Sequence, residues 1–198
     1  MSGLEATLFR HRLAQHGFLV RQFHYRSMTA LPEDVDAELR AQVLGLAPPV
    51  HLVGHSLGGL LLLRFAAAHP GLPLGRLVLL GSPVNGSRAA RGFAALPGAS
   101  IFFGQLAGTE LLRDGRPRWH GPAAVGVIAG SHSLGLGRFL GQLPEPNDGT
   151  VAVDETALDG ASDHLVLPVS HTGLLVSEDV VAATARFLSS GRFAAPGP

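Results

Sequence analysis

Ser56 sits in Gly54-His55-Ser56-Leu57-Gly58-Gly59, and its neighbours decide what its hydroxyl can do. Upstream, Val50, Leu52 and Val53 make a short apolar run; downstream, Leu60 to Ala66 is rich in Leu and Ala. Strand, tight turn and helix in that order are the setting in which a G-x-S-x-G turn lifts a serine hydroxyl clear of a sheet. Gly54 and Gly58 are expected to let neighbouring backbone pass without Cβ clashes. The helix behind the turn aims backbone N–H groups and the positive end of its dipole at the same point. An attacking oxygen is then held where developing negative charge can be received.

A serine hydroxyl is a weak nucleophile until a base takes its proton, and a carboxylate must hold that base in the right tautomer. Of the ten histidines, His171 in Pro168-Val169-Ser170-His171-Thr172-Gly173 follows the last apolar run and precedes the last helix, on a loop at the same edge as Ser56. His55 is expected to point away from the reacting oxygen, into packing. His164 lies at the wrong end of the last strand. His120 and His132 flank an earlier strand and remain lesser alternatives, whereas His11, His16, His24, His51 and His69 read as surface positions. Where such a turn carries the nucleophile, the acid lies between serine and histidine along the chain. Asp148, in the turn-forming Pro146-Asn147-Asp148-Gly149-Thr150, is the first choice, with Asp154, Asp159 and Asp163 as alternatives.

The elements that must position these groups alternate. Leu4, Leu8, Phe9 and Leu13 share one helical face over residues 4–16, which Gly17 stops. Residues 18–25 read as a strand. Residues 32–46 read as a helix with Glu33, Asp34 and Asp36 at its front, ended by Pro48-Pro49. The helix behind Ser56 ends at His69-Pro70-Gly71. Leu77 to Leu80, Val125 to Ala129 and Leu165 to Leu167 are continuous apolar runs of the kind buried on both faces. Val180 to Leu188 makes a closing helix. The pattern predicts one α/β domain over residues 1–192, with a doubly wound, mainly parallel sheet whose catalytic groups gather at the carboxyl ends of its strands. Residues 193–198 read as a loose tail. In residues 84–121 the periodicity dissolves into Gly, Ala, Arg and scattered large apolar residues such as Phe93, Phe102, Phe103 and Trp119, read either as a packed crossover or as a cap lining an acyl pocket.

Composition narrows the partners. The chain has 198 residues, 46% hydrophobic and 15% charged, with formal net charge zero, so no basic excess exists to hold nucleic acid. With no cysteine there is no thiol nucleophile, disulfide or thiolate metal site. Neither metal nor cofactor is expected. Apolar stretches fall short of the ~20 residues of a membrane span, and the N-terminus lacks a basic-then-apolar signal, which makes the cytoplasm the expected location. No feature of the sequence sets an oligomeric state.

These motifs resemble those of the α/β-hydrolase superfamily, in particular its bacterial lipase and esterase-like members. Gly-His-Ser-Leu-Gly-Gly is similar to their nucleophile turn, Asn147-Asp148-Gly149-Thr150-Val151 to their acid turn, and Ser170-His171-Thr172-Gly173 to their histidine loop. Leu80-Gly81-Ser82-Pro83-Val84-Asn85-Gly86-Ser87 resembles their Gly-Thr/Ser-Pro-His-x-Gly-Ser loop, with Val84 and Asn85 in place of the usual His and the residue after it. The resemblance implies a Ser56–His171–Asp148 triad, the Leu57 N–H as one oxyanion donor, and hydrolysis of a small-molecule or lipid ester without a cofactor. It also implies a strand before the first helix, ending in a His-Gly-x turn that gives a second oxyanion N–H. His16-Gly17 only caps a helix, so Met1 is expected to be an internal position of a longer protein and this chain to be an N-terminally truncated, poorly stable and weakly active form. Acyl transfer or thioester cleavage on the same triad stays open, as does a non-catalytic binding module.

Overall fold

The computed structural model describes residues 3–24, 32–94, 117–133 and 143–194. Four parallel strands form one sheet in the order β1 (Val50–His55), β2 (Leu74–Leu80), β3 (Val125–Gly130), β4 (Asp163–Leu167). Register is continuous across the carboxyl ends: His55 lies beside Leu80, Leu80 beside Ile128, and Ile128 beside Leu165. Central β2 and β3 are the continuous apolar runs of the sequence, and Leu77 to Leu80 are fully buried.

Alternation of side chains along β2 divides the core. Leu77 and Leu79 face a layer holding Leu39 and Val43 of α2 (Pro32–Leu44) and Leu60 and Phe65 of α3 (Leu57–Ala68). Val78 and Leu80 face a layer with Phe9 and Leu13 of α1 (Leu4–Gln15) and, near the C-terminus, Leu174, Val180 and Phe187. A short helix α4 (Arg88–Ala94) follows β2. Two more, α5 (Gly173–Val176) and α6 (Glu178–Ser190), follow β4. Both sheet faces are covered, as the doubly wound reading requires. Gly17 takes a left-handed φ of 88° after α1, and Ser177 Oγ accepts from Val180 N at the start of α6.

Two expectations change. Residues 18–24 form no strand, and Leu19 is 88% exposed. Among the described residues β1 pairs with β2 alone, and residues 18–24 do not extend the sheet at its other edge; they pack Phe18, Val20 and Phe23 against the two core layers. Tyr25, the last residue of that expected strand, lies outside the described residues. Phe193, read as part of the tail, is buried against Phe187 with ring centroids 4.8 Å apart, and its backbone N donates to Asp163 Oδ2 at 2.8 Å. Most of the candidate cap, residues 95–116, lies outside the described residues, as do residues 195–198 of the tail. Trp119 is described, and it belongs to the core, its Nε1 donating to the Ala123 carbonyl at 2.8 Å.

Candidate active site

Ser56 ends β1 and starts α3 with φ 54° and ψ −125°, the sole non-glycine with positive φ among the described residues. Such backbone costs about 1–3 kcal/mol and persists only where its surroundings enforce it. Here Ser56 N donates to the Leu80 carbonyl at 2.9 Å, and the Ser56 carbonyl accepts from Gly59 N at 3.0 Å. The turn is tight enough that a Cβ on Gly54 would lie 2.7 Å from Gly59 Cα, and one on Gly59 would lie 2.0 Å from Ser82 Oγ. A Cβ on Gly58 would meet nothing within 4 Å, so the close approach expected at Gly58 belongs to Gly59.

Asp148 is buried in the turn after residue 146, where three bonds fix its carboxylate. Oδ1 accepts from Thr150 N at 2.9 Å and Val151 N at 2.7 Å, while Oδ2 lies 2.7 Å from His171 Nδ1. Asn147 Oδ1 accepts from Gly149 N at 2.9 Å, and Gly149 takes φ 92°, which shapes the turn. Because the carboxylate accepts, Nδ1 of His171 carries a proton and donates it to Asp148. A backbone bond from His171 N to the Asp148 carbonyl, 2.9 Å, ties the same two residues a second time.

His55 brings that pair to the serine turn. Its Nε2 lies 2.9 Å from the His171 carbonyl, and the two rings stand 4.5 Å apart at 44°. A carbonyl only accepts, so this nitrogen carries the proton. Burial, reinforced by the adjacent His171, lowers the His55 pKa to about 3. The packing role expected for His55 thus includes a directed hydrogen bond.

The other candidates are engaged elsewhere. Asp154 pairs in two bonds with Arg88, at 2.9 and 2.8 Å, and that guanidinium holds its carboxyl below the ordinary range. Asp163 accepts from His164 N and Phe193 N. Asp159 is exposed, and the bond it shares with Trp119 N is through its main-chain carbonyl. His164 Nε2 lies 3.1 Å from Thr156 Oγ1, His51 Nδ1 accepts from Arg76 N, and His69 pairs with Asp36 at 2.7 Å. His120 and His132 are exposed. Among the described residues no three His, Cys, Asp or Glu side chains are grouped to hold a metal ion.

Three positions escaped the sequence reading. Gly81, with φ 55°, ends β2 against the pair: a Cβ there would lie 3.2 Å from both Asp148 Oδ2 and His171 Nδ1 and 2.6 Å from Leu174 Cδ1. A Cβ on Gly130 would lie 2.8 Å from Asp148 Cβ and 2.4 Å from the Val169 carbonyl. Both glycines directly follow apolar strand runs, which is the signal that marks them. Glu155 is buried with Oε1 accepting from Arg88 N at 2.6 Å and Oε2 from Ala152 N at 2.8 Å, and nothing local in the sequence announces that role.

A parallel, doubly covered sheet with a strained serine at a strand end and an Asp–His pair beside it defines a hydrolase-type α/β domain. A profile of the alpha/beta hydrolase family matches residues 4–195, and the chain belongs to that family. Comparison with curated proteins gives no match. Among solved structures, the mature form of a Bacillus licheniformis lipase is 19% identical with a TM-score of 0.57, covering 80% of this chain and 71% of its own. A metagenomic carboxyl esterase is 16% identical with a TM-score of 0.57, covering 81% of this chain and 62% of its own. The Legionella pneumophila phospholipase PlaB in complex with thio-NAD is 12% identical with a TM-score of 0.62, covering 96% of this chain and 53% of its own. At these identities the likeness is one of fold. No helix of the described residues is long and apolar enough to cross a membrane.

Proposed function

We propose that this chain is a serine hydrolase that cleaves carboxylic esters, with Ser56 as nucleophile, His171 as general base and acid, and Asp148 as the group that orients the imidazole. The observation that carries the reading is the Asp148–His171 bond of 2.7 Å, tied to the nucleophile turn through His55, the residue preceding the strained Ser56. With the proton on Nδ1, the free Nε2 lone pair suits removal of the Ser56 hydroxyl proton as Oγ attacks the acyl carbon. The Leu57 N–H, first in α3, faces the charge that develops on the carbonyl oxygen. Collapse of the tetrahedral intermediate expels the alcohol, protonated by His171, and leaves an acyl-Ser56. Water activated by the same imidazole then releases the acid and restores the serine. The choice of an ester is supported by neighbours that include a lipase and a carboxyl esterase.

The test is covalent. A fluorophosphonate probe is expected to label wild type at Ser56 and to leave S56A unlabelled, with p-nitrophenyl ester turnover lost in parallel. D148N is expected to lower kcat by roughly 10⁴-fold, because an amide oriented to His171 favours the wrong tautomer. Labelling that survives S56A would reject the nucleophile. Sensitivity at Asp154 or Asp163 with D148N unaffected would reject the acid.

A further inference from the structure

We propose that His55 is a positioning residue of this site, whose Nε2–H holds the His171 carbonyl and so fixes the general-base loop to the nucleophile turn. The proposal rests on the serine-hydrolase reading for its kinetic consequence, though not for its geometry.

His171 is held at three points. Its backbone N donates to the Asp148 carbonyl at 2.9 Å, its ring Nδ1 lies 2.7 Å from Asp148 Oδ2, and its carbonyl receives His55 Nε2 at 2.9 Å. Two of these come from Asp148 and set the ring's tautomer and tilt. They do nothing to fix its distance from β1. The third comes from the residue peptide-bonded to Ser56, in register with Leu80 of the buried strand β2. His55 therefore moves with the serine turn, and its bond passes that position to a loop 116 residues away.

Two features suit the imidazole to the task. Its ring packs on the His171 ring at 4.5 Å, so the clamp fills space as well as donating a bond. It also stays neutral far below the usual imidazole range, with a pKa lowered to about 3, so it does not place a second positive charge beside His171 when that ring takes a proton. An arginine or lysine could donate the same bond but would repel the imidazolium formed during attack.

The proposal separates donor from filler. Gln reaches with its amide N–H to about where His Nε2 sits, Asn falls one methylene short, and Leu fills space without donating. We expect H55N and H55L to lower kcat by about 100-fold, as an ångström-scale misplacement does, with KM changed less than about twofold, and H55Q to recover most of the loss. In imidazole NMR spectra, His171 is expected to give one sharp set of ring signals in wild type and H55Q, broadened or doubled in H55N. Should H55L fail to fold, the H55N and H55Q pair decides alone. Equal kcat and equal ring signals in H55N and H55Q would overturn the clamp, and so would a loss of kcat that Gln does not recover. If wild type takes no fluorophosphonate label while its His171 signals still respond to H55N, the clamp stands and the hydrolase reading falls.

Discussion

At the scale of single residues, the site depends on atoms that are absent as much as on those present. Gly81 leaves open the space into which the Asp148–His171 bond fits, and its φ of 55° lies where an L side chain is strained. G81A adds a methyl 3.2 Å from each bonded atom, tighter than ordinary contact, so one partner must move by a few tenths of an ångström. Leu174 Cδ1, at 2.6 Å, must rotate away as well. The expected outcome is kcat for p-nitrophenyl esters reduced by about 100-fold, with about 1 kcal/mol lost in stability from the backbone term. Steady-state kinetics and urea unfolding of the same sample check it; unchanged kcat would mean that the pair tolerates displacement. The sequence declares its local devices and conceals its distant ones. Ser56 is legible because strand, glycines and helix adjoin it, and the Asp148 turn because Asn-Asp-Gly has its own turn chemistry. Gly81 is marked only by its place after the apolar run of β2, while the His55 bond depends on a residue far along the chain and no local pattern encodes it.

At the scale of elements, the question is what holds the segment after Asp148 against the loop that follows β2. Asn85 is one staple: its backbone N donates to the Glu155 carbonyl at 3.0 Å, and its Nδ2 donates to the carbonyls of Asp154 and Ala157. Glu155 is the other, accepting from the N–H groups of Arg88 and Ala152 while almost wholly buried. Arg88 and Asp154 make a two-bond ion pair nearby, but their side chains are 43% and 59% exposed. Burial therefore separates the two interactions. E155A strands two backbone donors and is expected to cost about 3 kcal/mol, whereas D154A removes only the solvated pair and leaves Arg88 beside Glu155, 3.8 Å away, and is expected to cost no more than about 1 kcal/mol. Urea midpoints of both variants decide the order; a D154A loss as large as that of E155A would contradict it. The same logic explains which elements were readable. β2 and β3 announce themselves because burial on both faces demands unbroken apolar runs, and α6 because Val180 to Leu188 is amphipathic at helical spacing. Residues 18–24 carry a strand-like pattern and are no strand: the same apolar residues, Phe18, Val20 and Phe23, are used to pack on the core layers, which alternation alone does not distinguish from pairing.

At the scale of the whole molecule, histidines set how stability responds to mild acid. His55, His51 and His164 all have pKa values lowered by burial, with His55 the furthest, near 3. In the unfolded chain each returns to about 6.5. Below that value the unfolded state takes up protons that the folded state refuses, so stability must fall as pH falls. For His55 the decline continues from about pH 6.5 down to about pH 3 and amounts to about 2 kcal/mol between pH 7 and pH 5. The cluster of His55, His171 and Asp148 feels this directly, because a proton forced onto His55 would place a charge 4.5 Å from the His171 ring. Asp154 behaves with the opposite dependence on charge state: its pKa is depressed by Arg88, and its contribution is lost only as pH falls below the ordinary carboxylate range. The window from pH 7 to pH 5 therefore belongs to the histidines. Urea midpoints of wild type are expected to drop steadily across it, and those of H55Q, which has no proton to accept at that position, to drop less. A wild-type curve flat between pH 7 and pH 5, or an H55Q curve running parallel to it, would show that a buried neutral imidazole at position 55 does not govern the acid limb, and the 2.9 Å bond to His171 would then have to be made by a ring that protonates freely.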